Sequence, residues 1–143
     1  MADDSGLKLL ARCPLFAGVL PDDLHEVARH LRRRRFRRGE VIFHQGDPGD
    51  ALHIVASGSV KIVLPSAEGE EAIIATVHTG DFFGELALLD KPVRDATITA
   101  TTPMRVLVVR RREFEVLLIE VPSIARKLLR GLAQRLHSLD ALA

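Results

Sequence analysis

The sequence has few cysteines, few aromatic residues and little net charge, and each of these scarcities argues against a class of protein. It has one cysteine, Cys13, and no tryptophan or tyrosine among its 143 residues. A single cysteine excludes an internal disulfide framework and is typical of the reducing cytoplasm. Because only six phenylalanines supply aromatic rings, a stacking platform for single-stranded nucleic acid is not expected. The formal net charge of +1 argues against a protein whose main role is to coat DNA or RNA.

The sequence also lacks the segments that direct a chain to or through a membrane. No run of apolar residues is long enough to span a bilayer, and the polar, acidic start over residues 1–5 is unlike a secretory signal. We therefore expect a cytoplasmic protein with no membrane span.

The hydrophobic pattern changes twice along the chain and predicts helices, then strands, then helices. A helix is predicted to begin at Pro21, because proline and the following acids suit a first turn, and its apolar face comprises Leu24, Val27, Ala28 and Leu31. Between Gly39 and Arg110, short apolar runs alternate with turn sequences, which predicts a mainly β domain of sandwich, jelly-roll or barrel type. After it, one helix ends before Pro122 and another runs to the C-terminus.

Two segments have two interpretations each. Residues 32–38 contain six arginines, which form either a patch for nucleic acid or acidic lipid or, as we favour, the solvated side of a first strand around Phe36. In the last helix, alternating spacings of three and four separate Leu129, Leu132, Leu136, Leu139 and Ala143. This short heptad seam either packs on the chain's own β domain or forms a dimer contact.

The segment Phe82–Leu89, with Arg94 after it, carries the clearest chemical signal. Gly84 is predicted to begin a short helix, whose unpaired backbone N–H groups favour a phosphate. Arg94 supplies a planar guanidinium that binds two phosphate oxygens, and Glu85 accepts hydrogen bonds from hydroxyl groups. The pattern therefore predicts a nucleotide site. A plainer interpretation makes Glu85 and Arg94 an ion pair that ties down a loop, and Gly84 a turn residue with positive φ.

Four segments in order resemble the cyclic nucleotide-binding domain family: 46–50, 58–60, 80–88 and 94–97. The resemblance spans nearly the whole chain and implies one domain over residues 1–143. This domain would be mainly β with flanking helices: a helical N-terminal part over 6–35, a β-roll over 36–110 and C-terminal helices over 111–143. The β-roll, a jelly-roll-like double-stranded β-helix, would contain a phosphate-binding cassette over 83–97.

The resemblance also implies roles for individual residues. Glu85 would bind the ribose 2′-hydroxyl, and Arg94 the exocyclic oxygens of a cyclic phosphate. The phosphate cradle would be completed by backbone N–H groups of Gly84, Leu86 and Ala96. The sugar and base would lie against Ile62, Ile74 and Phe83, and the final helix would cover the base.

Two residues depart from the family pattern. Asp95 stands where members that bind cyclic nucleotide usually have a Ser or Thr hydroxyl for the phosphate. A carboxylate ~5 Å from the phosphate would repel it by about 3 kcal/mol, so we expect Asp95 to turn to solvent; otherwise the pocket prefers another ligand. Leu139 stands where catabolite activator protein uses a hydroxyl on the adenine, and it covers a base without reading its edge. Because a Thr after the cassette arginine is absent, cAMP is favoured over cGMP.

The resemblance implies signalling by movement of the C-terminal helix, and we expect a stand-alone cAMP sensor without enzymatic activity or metal. No helix-turn-helix follows that helix, so we expect a protein effector or a second copy as partner, and no direct DNA binding. Two alternatives stay open. One is a degenerate fold that binds no cyclic nucleotide and serves as a protein-interaction domain. The other is a metal-dependent cupin enzyme, which the missing His-x-His pair disfavours.

Overall fold

The computed structural model describes residues 4–16, 18–85, 88 and 92–142, and the side chains of all of these except 4, 5, 131 and 134–142. They form two compact units. A helical unit comprises Met1–His30 and Arg112–Ala143, and a β unit comprises Leu31–Arg111. This architecture, two antiparallel sheets with helices before and after them, confirms the predicted fold class.

The helices lie at the two ends of the chain. They are α1 (Asp4–Arg12), a short 3-10 helix (Pro14–Phe16), α2 (Pro21–Arg29), α3 (Arg111–Glu120) and α4 (Pro122–Leu142). Helix α2 begins with proline and has Asp22 and Asp23 in its first turn, where acids stabilise the positive end of the helix dipole. Helix α4 packs against the 3-10 helix, and the most buried apolar side chains of the helical unit include Leu10, Leu15, Phe16, Val27, Leu117 and Ile124.

The β unit contains eight strands in its described part. They are β1 (Arg32–Phe36), β2 (Val41–Phe43), β3 (Ala51–Ser57), β4 (Ser59–Pro65), β5 (Glu71–His78), β6 (Phe82–Phe83), β7 (Thr97–Ala100) and β8 (Met104–Arg110). One sheet has the order β1-β8-β3-β6 and the other β2-β7-β4-β5. Residues 66–70 connect β4 and β5, which pair from Ser59↔His78 to Pro65↔Glu71.

The core of the β unit combines the inner faces of both sheets. From the first sheet it takes Phe36, Val55, Phe83 and Val106, and from the second Val60, Val77 and Ile98. Alternate residues face this core on β7 (Ile98, Ala100) and on β8 (Met104, Val106, Val108), as is usual when two sheets pack face to face.

The first strand begins at Arg32, four residues before the boundary at residue 36 that the resemblance implies between the helical part (6–35) and the β-roll (36–110). Strand β1 lies at the edge of its sheet, and only Phe36 among its residues is buried. An edge strand of exposed arginines lacks the apolar alternation that marks a strand. The interpretation of the arginine run as the solvated side of a first strand is confirmed. Leu31 lies beyond the end of α2 at Arg29, not on its apolar face.

None of the helices in the described part of the chain combines the length and the apolar character that a membrane crossing needs.

Candidate functional site

Gly84 forms the turn at the end of β6, next to the side chain of Arg94. Its φ is +87°, a conformation that residues with a Cβ rarely adopt. A Cβ at this position would lie 2.7 Å from Nη1 of Arg94 and 3.1 Å from the carbonyl oxygen of Ala51. The glycine is therefore required twice, by the backbone conformation and by the close approach of the guanidinium. A short helix is predicted to begin at Gly84. Leu88 is helical, and Leu86 lies outside the described residues.

The side chain of Arg94 is held by two hydrogen bonds and a contact with an aromatic ring. Its side chain is buried, with 6% of its surface exposed. Nη1 donates a hydrogen bond to the Gly84 carbonyl oxygen at 3.1 Å, and Nη2 donates to the Ala51 carbonyl oxygen at 3.0 Å. The guanidinium carbon lies 3.9 Å from the centroid of the Phe43 ring, within the range of a cation–π interaction. These contacts fix the plane of the guanidinium, and its buried Nε has no hydrogen-bond partner.

The backbone of Arg94 is equally constrained. Its N–H donates to the Asp47 carbonyl oxygen at 2.8 Å, and its own carbonyl accepts from Gly46 at 2.8 Å. Pro48 and Val93 form an isolated antiparallel bridge beside it. The turn sequence at 46–50 thus positions the arginine, which explains why these two segments occur together in the sequence.

Burial lowers the pKa of Arg94, and the negative charges of Asp50, Asp95, Glu85 and Asp47 oppose that shift. A guanidinium stays protonated in proteins at physiological pH, so the site presents a buried positive charge. The two hydrogen bonds described above go to carbonyl oxygens, which leave the charge of Arg94 in place.

Asp95 is exposed, whereas its neighbour Ala96 is buried. The side chain of Asp95 therefore has access to solvent. Thr97, at the end of the predicted cassette, accepts a hydrogen bond from the backbone N–H of Gln45 at 2.9 Å, which ties this segment to β2 and its turn.

The apolar residues predicted to wall the ligand differ in their exposure. Phe83 is 1% exposed and belongs to the core, and Ile62 packs against that core while half-buried. Ile74 is 54% exposed and is the extra residue of a β-bulge, because Ile62 pairs with Ala75 and Val63 pairs with Ile73. Leu139 lies in α4, at a position whose side chain is outside the described ones.

His53 is a buried neighbour of the site that the sequence did not indicate. Its ring stacks on Phe83 with centroids 5.0 Å apart and lies 5.8 Å from the Phe43 ring. Burial, then the positive charges of Arg94 and Arg34, lower the pKa of His53 to about 3. It is therefore neutral near pH 7, and its buried Nδ1 has no hydrogen-bond partner. In the sequence it is one of several scattered histidines, and nothing local marks it.

A groove of about 860 Å³ opens beside Arg94 and His53. Its walls include five arginines, at positions 32, 33, 34, 94 and 110, and two aspartates, Asp47 and Asp50. The excess of positive charge favours anions near Arg94.

The neutral state of His53 predicts an acid-dependent loss of stability. Because its folded pKa of about 3 is below the unfolded value of about 6.5, the unfolded chain binds the proton first. The contribution of neutral His53 to the free energy of unfolding is therefore complete above pH 6.5. As the pH falls from there toward 3, the free energy of unfolding decreases by up to about 1.4 kcal/mol per pH unit. We expect the free energy of unfolding of His53→Phe, measured by urea titration, to fall less steeply over this range than that of the native chain.

Exposed His25 supplies the control for that measurement, since His25→Phe should leave the slope unchanged. Parallel pH profiles for the native chain and His53→Phe would show that His53 titrates normally in the folded protein.

Comparison with known proteins places this geometry in a family context. The model of the cyclic nucleotide-binding domain family matches residues 33–120. The cyclic AMP receptor protein of Thermus thermophilus is 35% identical over 127 residues, which make up 89% of this chain and 59% of that protein. A CRP-like cAMP-activated global transcriptional regulator of Mycobacterium tuberculosis is 35% identical over 130 residues, 91% of this chain and 58% of the regulator. The chain thus spans less than two thirds of the length of these relatives.

Solved structures agree with this result. The N-terminal domain of a transcriptional regulator from Streptomyces coelicolor superposes with a TM-score of 0.80 at 36% identity, covering 94% of this chain and 95% of that one. The regulatory domain of Toxoplasma gondii PKA, crystallised with cAMP, gives a TM-score of 0.77 at 26% identity, over 98% of this chain and 53% of that one.

Proposed function

Because the chain belongs to the cyclic nucleotide-binding domain family, we propose that it is a regulatory module that binds cAMP at Arg94 and Gly84. The observation that carries the proposal is the fixed guanidinium of Arg94, buried and held against the glycine turn by two carbonyl oxygens. Two of its five N–H donors make those bonds, and the others remain for a phosphate.

The other predicted site residues would each contact a different part of the ligand. Glu85 would accept the ribose 2′-hydroxyl, and the backbone N–H groups of Gly84, Leu86 and Ala96 would bind the phosphate. The sugar and base would contact Phe83, Ile62 and Ile74. The high exposure of Ile74 supports this role, because an apolar side chain on a bulge gains most from covering by a ligand. The exposed Asp95 would stay clear of the phosphate.

We further propose that the output is the position of helix α4. A ligand shifts the equilibrium between two positions of α4 only as far as its affinities for the two states differ. Leu139 would supply that difference in affinity, because it would cover the base in only one of the two states. Leu129, on the heptad seam, is 69% exposed, which supports a contact with a protein effector or with α4 of a second copy. Light scattering with and without cAMP tests the dimer, because a mass that stays at one chain in both conditions would contradict it.

Calorimetric titration with cAMP and cGMP tests the ligand directly. We expect saturable binding of both, with cAMP the tighter, because no hydroxyl follows Arg94 to favour cGMP. 5′-AMP, which has an open phosphate, is the control and should bind at least about tenfold more weakly, since the ring-closed phosphate sets the geometry of the cradle. Absence of heat at millimolar cAMP would contradict the proposal and favour a degenerate fold that acts only as an interaction domain.

A further inference from the structure

Three side chains of types that commonly bind metal ions lie close together within the helical unit. Glu26 lies in the last turn of α2, and His30 follows the end of that helix. Nε2 of His30 lies 3.8 Å from Oε1 of Glu26. Glu120, the last residue of α3, contributes a second carboxylate, and one ligand atom from each residue lies within 4.8 Å of the other two.

Small movements of these three side chains would bring their ligand atoms close enough to bind one ion together. A divalent ion with ligand distances of about 2.0–2.2 Å holds its ligand atoms about 3–3.5 Å apart. The side chains of Glu26 and His30 are 31% and 26% exposed, and Glu120 is exposed, so rotation of each side chain toward the others is sterically open. The partial exposure also leaves room for water to complete the coordination.

The charges around the cluster also favour a bound cation. The cluster lies where α2 and α3 both end, and a helix C-terminus carries partial negative charge. Carboxylates are unfavourable there, and α3 has no basic residue in its last turn. Arg29 offsets part of this charge, because its Nη1 donates to Oε2 of Glu26 at 3.2 Å and more weakly to Oε1 at 3.5 Å. Oε1 is the oxygen that lies 3.8 Å from Nε2 of His30, so it is the ligand atom that the two residues would share with an ion. A cation between the two helix ends would neutralise the rest.

We propose that Glu26, His30 and Glu120 form a binding site for a divalent transition-metal ion, with Zn²⁺ as the best match. Imidazole nitrogen together with carboxylate oxygen suits Zn²⁺ and its neighbours, whereas Ca²⁺ and Mg²⁺ prefer oxygen ligands alone. The bound ion joins α2 to α3, two helices distant in sequence, and therefore stabilises the helical unit. None of the three residues belongs to the proposed cyclic nucleotide site. This metal site revises the expectation of no metal, which rested on the absence of a His-x-His pair.

Titration of the full chain with Zn²⁺, followed by competition with a chromophoric chelator, tests the proposal. We expect one ion per chain. His30→Ala and Glu120→Gln should each weaken binding at least about tenfold, because each removes a direct ligand. His25→Ala is the matched control, since His25 lies exposed on the same helix and outside the cluster. Zn²⁺ should also raise the Tm of the native chain and of His25→Ala, but not that of His30→Ala.

Circular dichroism of each variant without metal checks that its fold is intact, as expected for partly exposed side chains. The proposal is overturned if millimolar Zn²⁺ leaves both the chelator and the Tm unaffected. It is also overturned if His30→Ala and Glu120→Gln bind Zn²⁺ as tightly as the native chain, because the ion would then occupy another surface site.

Discussion

Replacing Arg94 with alanine is expected to weaken cAMP binding by at least about 100-fold. A guanidinium that binds a phosphate makes two charge-assisted hydrogen bonds, each contributing about 1.5–3 kcal/mol, and Arg94 is the cation held against the turn at Gly84. Stability should fall as well, because the carbonyl groups of Gly84 and Ala51 lose their donors, at a cost of about 1–3 kcal/mol each if they stay buried. Calorimetry measures the first effect and urea unfolding the second.

Two further variants separate charge from geometry. Arg94→Lys keeps the positive charge but loses the planar fork, so its affinity should lie between those of the native chain and Arg94→Ala. Arg38→Ala removes an exposed arginine from the solvated end of the arginine run and should leave cAMP affinity unchanged. Native-like affinity in a folded Arg94→Ala would show that the cassette is misassigned.

Replacing Gly84 with alanine is expected to damage both the fold and the site. The positive φ of +87° costs a residue with a Cβ about 1–3 kcal/mol. The new methyl group would also lie 2.7 Å from Nη1 of Arg94, so the guanidinium must move away from its position. Loss of one charge-assisted contact to the phosphate predicts an affinity about 10–100-fold lower.

Gly80 provides a matched control for that variant. Its φ is +93°, and a Cβ there would meet no atom within 4 Å. Gly80→Ala should therefore lose similar stability through backbone strain while keeping its affinity for cAMP. Equal losses of affinity in the two variants would mean that strain, not displacement of Arg94, weakens the site.

The part of the site that is local in sequence was predictable, and the part that depends on strand pairing was not. Gly84 and Arg94 were associated by their spacing, and the structure places Nη1 of Arg94 3.1 Å from the Gly84 carbonyl oxygen. The second partner of Arg94 is the carbonyl oxygen of Ala51. That contact requires β3 to lie beside β6, with His53 opposite Phe83, and no short-range pattern specifies such a pairing.

His53 and Glu120 were missed for the same reason. The burial of His53, which keeps it neutral, depends on tertiary contacts, among them its stack on Phe83, a residue from another strand. Glu26 and His30 are one turn apart, so the sequence brings these two together, but Glu120 reaches them through the packing of separate helices. The edge position of β1 is also a tertiary property, so the sequence indicates a strand around Phe36 but not where that strand begins.

We propose that the buried guanidinium of Arg94 and the turn at Gly84 hold a ring-closed monophosphate despite the neighbouring Asp95. A crystal structure of the chain with cAMP tests this most directly. We predict exocyclic phosphate oxygens about 2.7–2.9 Å from the guanidinium nitrogens, and the Asp95 carboxylate directed to solvent. A structure in which cAMP binds elsewhere, or in which Asp95 turns inward and Arg94 contacts no phosphate, would contradict the claim.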